Sequence, residues 1–314
     1  DPDARDEIQA SIAEVHEEKL GDPETAVKTW RDVLDADPAN RRALESLDRL
    51  FTRLGRWNDL SDNLQTRLSL AESPDEQTVL QLRLAQVREE RMADTAGAID
   101  IHRQILERDV SNADAIGALE RLVEQPEHAQ VIADILEPAY RELGAYDRLA
   151  YVYEVLARNS ADKPHKVELL HRIAEIQETA LDQADHAFAT YTRALGELPG
   201  HQETIDQLDR LSRALRRHED FVAVLEQYIE TTDDPAARVA LHTRAASVAE
   251  ERLTIIPSAI GHQEAILQLD PQNVGAASAL ERLYQATDKP SELAGVYLRK
   301  AEIVDDPDER KQYL

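Results

Sequence analysis

An all-α fold, a stack of helical hairpins, is what this sequence predicts, and three observations carry it. Apolar residues recur along almost the whole chain at i, i+3, i+4 and i+7, the period of a helix with one buried face, and no stretch alternates as a strand would. The motif Leu-(Asp/Glu)-Arg-Leu stands at Leu47–Leu50, Leu119–Leu122, Leu208–Leu211 and Leu280–Leu283, in steps of 72, 89 and 72 residues. Ala13, Ala85, Ala174 and Ala246 keep the same three steps, as do Ala26, Ala98, Ala187 and Ala259. Three position sets in one register identify a duplicated chain.

The first unit, residues 1–73, reads as four helices over about 4–20, 23–36, 39–54 and 57–71. Gly21-Asp22-Pro23 closes the first and opens the second, with proline in a first turn where a missing N–H costs little. Asp37-Pro38 stops the second, because the residue before proline is pushed out of the α region. Gly55 follows Leu54 where a C-terminal glycine belongs. Unit junctions carry a further proline, at Pro2, Pro74, Pro235 and Pro307, with Pro164 one residue out of step.

The second unit, residues 74–162, takes 89 residues instead of 72, and the insertion falls at 123–139. There Pro126 and Pro138 bracket an apolar-periodic stretch from His128 to Leu136, enough for one extra helix. Two readings stand: an unpaired helix that bends the stack, or a lengthened hairpin that fills a groove. Units at 163–234 and 235–306 follow, and residues 307–314 open a fifth, for about 16–17 helices in one domain. With no initiator Met and no polar capping helix at either end, the expectation is a fragment of a longer chain.

The second helix of each unit carries a signature: Ala26, Trp30, Val33, Pro38; Ala187, Tyr191, Ala194, Pro199; Ala259, Gln263, Ile266, Pro271; and Ala98, His102, Ile105 with Val110 in place of proline. This resembles the tetratricopeptide repeat, whose second helix uses a small residue, an aromatic, a small residue and a closing proline. Ala13, Ala85, Ala174 and Ala246 look like that family's small residue in the first helix. The second hairpin is divergent, keeping Leu60, Leu149, Phe221 and Leu293, then Leu64, Tyr153, Leu225 and Tyr297 four residues on. The family's late first-helix tyrosine is replaced by His16, Arg88, Gln177 and Ala249, and the linker between paired helices is one residue longer. The unit is a degenerate pair of such repeats. The resemblance implies a right-handed superhelix whose first helices line a concave face. A hairpin cannot bury its apolar face alone, so units support their neighbours.

Composition narrows the function. The 314 residues carry 36 basic and 62 acidic side chains, a formal charge of −26. Such a surface has no electrostatic footprint for nucleic acid or anionic lipid. No run of about 18 apolar residues crosses a membrane. Cysteine is absent, so disulfides, thiolate nucleophiles and thiolate metal sites are excluded. No glycine-rich phosphate loop occurs, and His16-Glu17-Glu18 lacks the second histidine of a zinc helix. The expectation is no catalytic residue, no cofactor and no metal. His102 reads as a packed, hydrogen-bonded histidine, and Trp30 and Trp57 as core. Arginine outnumbers lysine 29 to 7, a compositional hint of a GC-rich bacterial genome.

One polar feature is patterned. Four residues beyond each first-helix alanine stands a glutamate: Glu17, Glu89, Glu178 and Glu250. The next position gives Glu18, Glu90, Thr179 and Glu251. Acidic side chains late in a helix oppose its dipole by a few tenths of a kcal/mol each, so stability does not favour them there. They read either as an acidic stripe for a basic partner segment or as a solvated face inherited by duplication. Arg49, Arg121, Arg210 and Arg282 recur as well, and their expected role is an ion pair with a neighbouring unit. The family's peptide clamp for a C-terminal carboxylate is missing: the matching positions are Ala10, Leu82, His171 and Thr243, then Glu14, Gln86, Glu175 and Ser247. The sequence therefore points to a non-enzymatic protein–protein interaction scaffold with an extended concave surface. A regulatory or substrate-recruiting arm of a larger enzyme and a self-assembling structural solenoid are the alternatives. The cytoplasm is the base-rate compartment, with the periplasm or cell envelope open.

Overall fold

The computed structural model describes residues 2–303; the side chains of residues 2–6 and of Glu18 lie outside the described residues, as do Pro307 and the fifth unit expected at 307–314. The chain divides into two compact units, residues 1–145 and 146–314. All seventeen α-helices among the described residues pack in sequential hairpin pairs within their unit. The first unit holds α1 (Pro2–Glu14, running on as a π-helical turn, Val15–Lys19), α2 (Pro23–Ala36), α3 (Arg41–Leu54), α4 (Trp57–Leu70), α5 (Pro74–Met92), α6 (Thr95–Leu106), α7 (Ala113–Leu122) and α8 (Pro126–Leu143). The second holds α9 (Tyr146–Asn159), α10 (Lys163–Thr179), α11 (Ala184–Glu197), α12 (Gln202–Leu215), α13 (His218–Thr231), α14 (Pro235–Glu251), α15 (Ile256–Leu269), α16 (Val274–Ala286) and α17 (Pro290–Ile303).

Caps set where these helices begin. Asn40, Asn112 and Asn273 accept the backbone N–H three residues on, at 3.1, 3.1 and 3.0 Å, so the third helix starts at Arg41 and not at 39. Each such bond satisfies one of the four donors left over at a helix start. The turns close by a common device. Gly21, Ala93, Asp182 and Thr254 all sit in the left-handed region, with φ of 64, 54, 54 and 54°. The next residue's N–H then reaches back to the carbonyls of His16, Arg88, Gln177 and Ala249 at 2.7–3.0 Å. Gly55, Gly144, Arg216 and Asp288 repeat the left-handed conformation in the other hairpin. This closure satisfies carbonyls the last helical turn leaves free.

The helix expected between Pro126 and Pro138 is instead α8, and Pro138 lies inside it. Proline cannot donate to the carbonyl of Asp134. Both residues are exposed, so water can take that carbonyl, while Ile132, Ala133, Leu136, Ala139 and Tyr140 continue one buried face through the proline. The insertion splits a helix: Leu47–Leu50 and Phe51 share α3, whereas their register equivalents, Leu119–Leu122 and Tyr140, stand on α7 and α8.

The small residues do what close helix approach requires. Ala13, Ala85, Ala174, Ala26, Ala98, Ala187 and Ala259 are fully buried, and Ala246 is 1% exposed. Trp30, Leu47, Leu50, Leu60 and Leu64 fill the first unit, and Leu208, Phe221, Leu225 and Leu241 the second. Trp57, expected in the core, is only half-buried, with the Arg91 guanidinium 5.1 Å from its ring centroid. It opens α4 at the helix start, where its indole meets solvent on one side.

Candidate functional site: paired glutamate and arginine ladders

The two ladders read from the sequence meet. Each glutamate at the end of α1, α5, α10 or α14 faces the arginine of the Leu-(Asp/Glu)-Arg-Leu motif two helices on, in α3, α7, α12 or α16. Arg49 lies 3.9 Å from Glu17, and both oxygens of Glu89 are 2.8 Å from Arg121 Nη2. Arg210 grips Glu178 with a two-pronged fork at 2.6 and 2.5 Å, and Arg282 Nη2 donates to Glu250 Oε2 at 2.8 Å. The arginines were expected to reach a neighbouring unit. They do not, because the third helix packs beside the first through the second, which brings the motif's outward flank onto the glutamate.

Exposure within the pairs is uneven. The glutamate side chains are 13–24% exposed and the arginines 49–62%. What faces solvent is therefore guanidinium, with carboxylate beneath it. The arginine hydrogen bonds hold Glu178 and Glu250 below the usual carboxylate range. They also offset the unfavourable placement of a negative charge late in a helix. Of the second row, Glu90 is exposed and accepts from Gln86 at 3.2 Å, and Glu251 is exposed. Glu18 lies outside the described residues.

The bond to the following helices comes from the motif's acidic residue, which the sequence reading left unassigned. Asp48 is 2% exposed and takes Arg67 of α4 at 2.6 Å and Arg83 of α5. Asp209, 3% exposed, takes Arg213 at 2.6 Å, Arg244 of α14 at 2.9 Å, and Arg252, the residue that caps the end of α14. Burial alone would raise the Asp209 carboxyl, but hydrogen bonds from Arg252 and Arg213 and the charges of Arg252 and Arg244 hold it below its ordinary value. Glu281 takes Lys300 at 2.5 Å and Glu120 the Tyr140 hydroxyl at 2.6 Å. The signal was available: an acidic residue between leucine and arginine in all four copies of the motif.

Three histidines, His102, His242 and His262, are buried. His102 is 4% exposed, its Nδ1 has no hydrogen-bond partner among the described residues, contrary to expectation, and burial keeps its pKa low. His242 and His262 face each other with Nδ1 atoms 3.0 Å apart. Among the described residues no three His, Asp or Glu side chains converge as a metal ion requires, and no helix is long and apolar enough to cross a membrane.

Comparison with known proteins gives one family match. Residues 276–311, a stretch that takes in most of α16 and all of α17, match the tetratricopeptide-repeat family model. No curated protein matches the chain. Among solved structures the chain is similar to the tetratricopeptide-repeat domain of P58(IPK), at 15% identity over 99% of this chain and 96% of that one, with a TM-score of 0.29. It is similar also to Naa15/Naa10 bound to HypK, at 14% identity over 97% and 60% of the two chains, TM-score 0.41. Yeast Tom70 matches at 11% identity over 98% and 87%, TM-score 0.33.

Proposed function

We propose that this chain is a non-enzymatic scaffold for protein–protein interaction, built from degenerate double tetratricopeptide-like repeats and recognising a basic partner segment. The observation that carries the reading is the fourfold pairing of glutamate and arginine on successive units, joined to the family match at 276–311. A pre-ordered helical surface binds an extended segment with little ordering cost on its own side. The net charge of −26 steers cationic segments toward it, and salt screens that attraction. The partner surface comprises Glu17, Glu89, Glu178 and Glu250 with Glu18, Glu90 and Glu251. Because the first four already hold arginines, an incoming basic side chain exchanges with a resident guanidinium rather than meeting a bare carboxylate.

That exchange gives the test. A decapeptide of alternating Arg and Gly is titrated against the parent chain and against a variant with Arg49, Arg121, Arg210 and Arg282 changed to Gln. Freed carboxylates should bind the peptide several-fold more tightly, and raising salt from 50 to 300 mM should weaken both complexes. Equal affinities for parent and variant would remove the ladder from the docking surface. A parent that binds an Asp-Gly decapeptide equally well would end the basic-segment reading.

A further inference from the structure

One cleft of the second unit departs from the repeat in a coordinated way. It holds about 630 Å³ between α10, α11 and α12, and is walled by His171, Tyr191 and His201 with Glu175, Glu203 and the Glu178–Arg210 pair. In the register of the other copies, His171 replaces Ala10, Leu82 and Thr243, His201 replaces Asn40, Asn112 and Asn273, and Thr204 replaces Ala43, Ala115 and Ala276. The three changes touch one another. His171 Nε2 is 2.7 Å from the Thr204 hydroxyl, which is 2.8 Å from His201 Nδ1.

Protons follow from the cap. His201 occupies the N-cap of α12, and its Nδ1 faces the Thr204 backbone N–H at 3.4 Å, so that nitrogen accepts. It takes the Thr204 hydroxyl proton too, His171 Nε2 donates to the Thr204 oxygen, and the His201 proton sits on Nε2. As a cap this is poorer than the 3.0–3.1 Å asparagine bonds of the other three copies. Stability of the helix start does not account for the histidine.

Two further features point to an occupant. Tyr191 is 5% exposed and lines the cleft, yet its hydroxyl has no hydrogen-bond partner among the described residues. Burial pushes its pKa up to about 12, so it stays a neutral donor and acceptor. The carboxylates divide into two kinds. Glu168 accepts from Arg172 at 2.7 Å and Glu178 from Arg210 at 2.5 Å, whereas Glu175 and Glu203 are exposed and have no cation paired to them among the described residues. A group entering here meets two uncompensated carboxylates, a phenol oxygen and imidazole edges.

We propose that this cleft binds the guanidinium of an arginine side chain on the partner segment. The proposal rests on the basic-segment reading above and assigns that reading one pocket. A planar, weakly hydrated cation with five donors can bridge Glu175 and Glu203, donate to the Tyr191 oxygen and lie against the imidazole of His171; an ammonium lacks the planar fork.

The test uses the full chain and two peptides, acetyl-Gly-Gly-Arg-Gly-Gly-amide and its lysine counterpart, followed by calorimetry and by imidazole NMR of His171 and His201. The arginine peptide should bind more tightly than the lysine peptide and shift both histidine spectra. Glu175→Gln with Glu203→Gln, and separately Tyr191→Phe, should each weaken it by about tenfold, the equivalent of about 1.4 kcal/mol. His201→Asn restores the cap used in the other copies, so it keeps the fold while breaking the relay and lowering arginine preference. Unchanged affinity in the carboxylate and Tyr191→Phe variants, or equal binding of the two peptides, overturns the pocket. If the Arg-Gly decapeptide still binds in that case, the scaffold reading survives without this pocket; if it does not bind the parent, that reading fails first.

Discussion

At the scale of single residues, the charges that matter are the buried ones. The ladder arginines are about half exposed or more, and an exposed ion pair contributes about 0–1 kcal/mol. Asp209 differs, because three arginines converge on a carboxylate that water does not reach. Asp209→Asn should lower the stability of the second unit by about 1–3 kcal/mol, since it leaves the mostly buried Arg252 without its counter-charge while Arg244 keeps Asp206 and Arg213 reaches solvent. Denaturant unfolding followed by hydrogen exchange in α12 and α14 measures it, and a loss as small as that of Glu250→Gln would contradict the hub. Acid acts on another pair. Burial, then the neighbouring His262 and Arg238 of α14, depress His242 to about 4, and burial depresses His262 although Glu226 of α13 pulls it up. The unfolded chain takes protons first, near the ordinary histidine value of about 6.5, so stability is full above that pH and falls as pH drops toward 4. The protection factors of α14 and α15 amides, with intrinsic exchange divided out, should fall between pH 7 and 5, and His242→Gln should flatten that response.

At the scale of elements, the turns show geometry overruling residue preference. Glycine supplies the left-handed conformation at Gly21 and Gly55, but Ala93, Asp182, Arg216, Thr254 and Asp288 adopt it as well. Thr254 is the most strained, because its branched Cβ crowds the carbonyl at a φ of 54°. Thr254→Gly should raise stability by about 1 kcal/mol, read as a higher denaturation midpoint, whereas a neutral or negative effect would show the turn relaxed. The sequence marked the turn through Gly21-Asp22-Pro23 and hid it in the other copies, where tertiary contact between paired helices imposes it. Pro138 taught the opposite lesson. Proline reads as a helix end from sequence, yet burial of Ala139 and Tyr140 beyond it carries α8 on to Leu143.

At the scale of the molecule, the compact units are residues 1–145 and 146–314, whereas the repeat register places its boundaries at 73, 162 and 234. The division falls one residue after Gly144, the left-handed residue that closes α8. Chains of residues 1–145 and 146–314 expressed apart should each give a cooperative helical melt, because each holds its own buried leucine, alanine and aromatic core. A half that stays unfolded alone would show that its core is completed by the other.

Helical period, alanine register and the punctuating prolines and glycines determined that the fold is all-α and where most helices begin and end, since those properties act through neighbours within a turn or two of the same helix. The glutamate and arginine ladders were equally legible as patterns. Their meeting was not, because ladder partners stand about 32 residues apart and only the packing of the first and third helices of a unit joins them. Tertiary structure alone decided that the ladder carboxylates are covered, that Asp48 and Asp209 hold successive hairpins together, and that His171, Thr204 and His201 share one cleft. Each of those facts depends on distances between separate helices, which no spacing along one helix encodes.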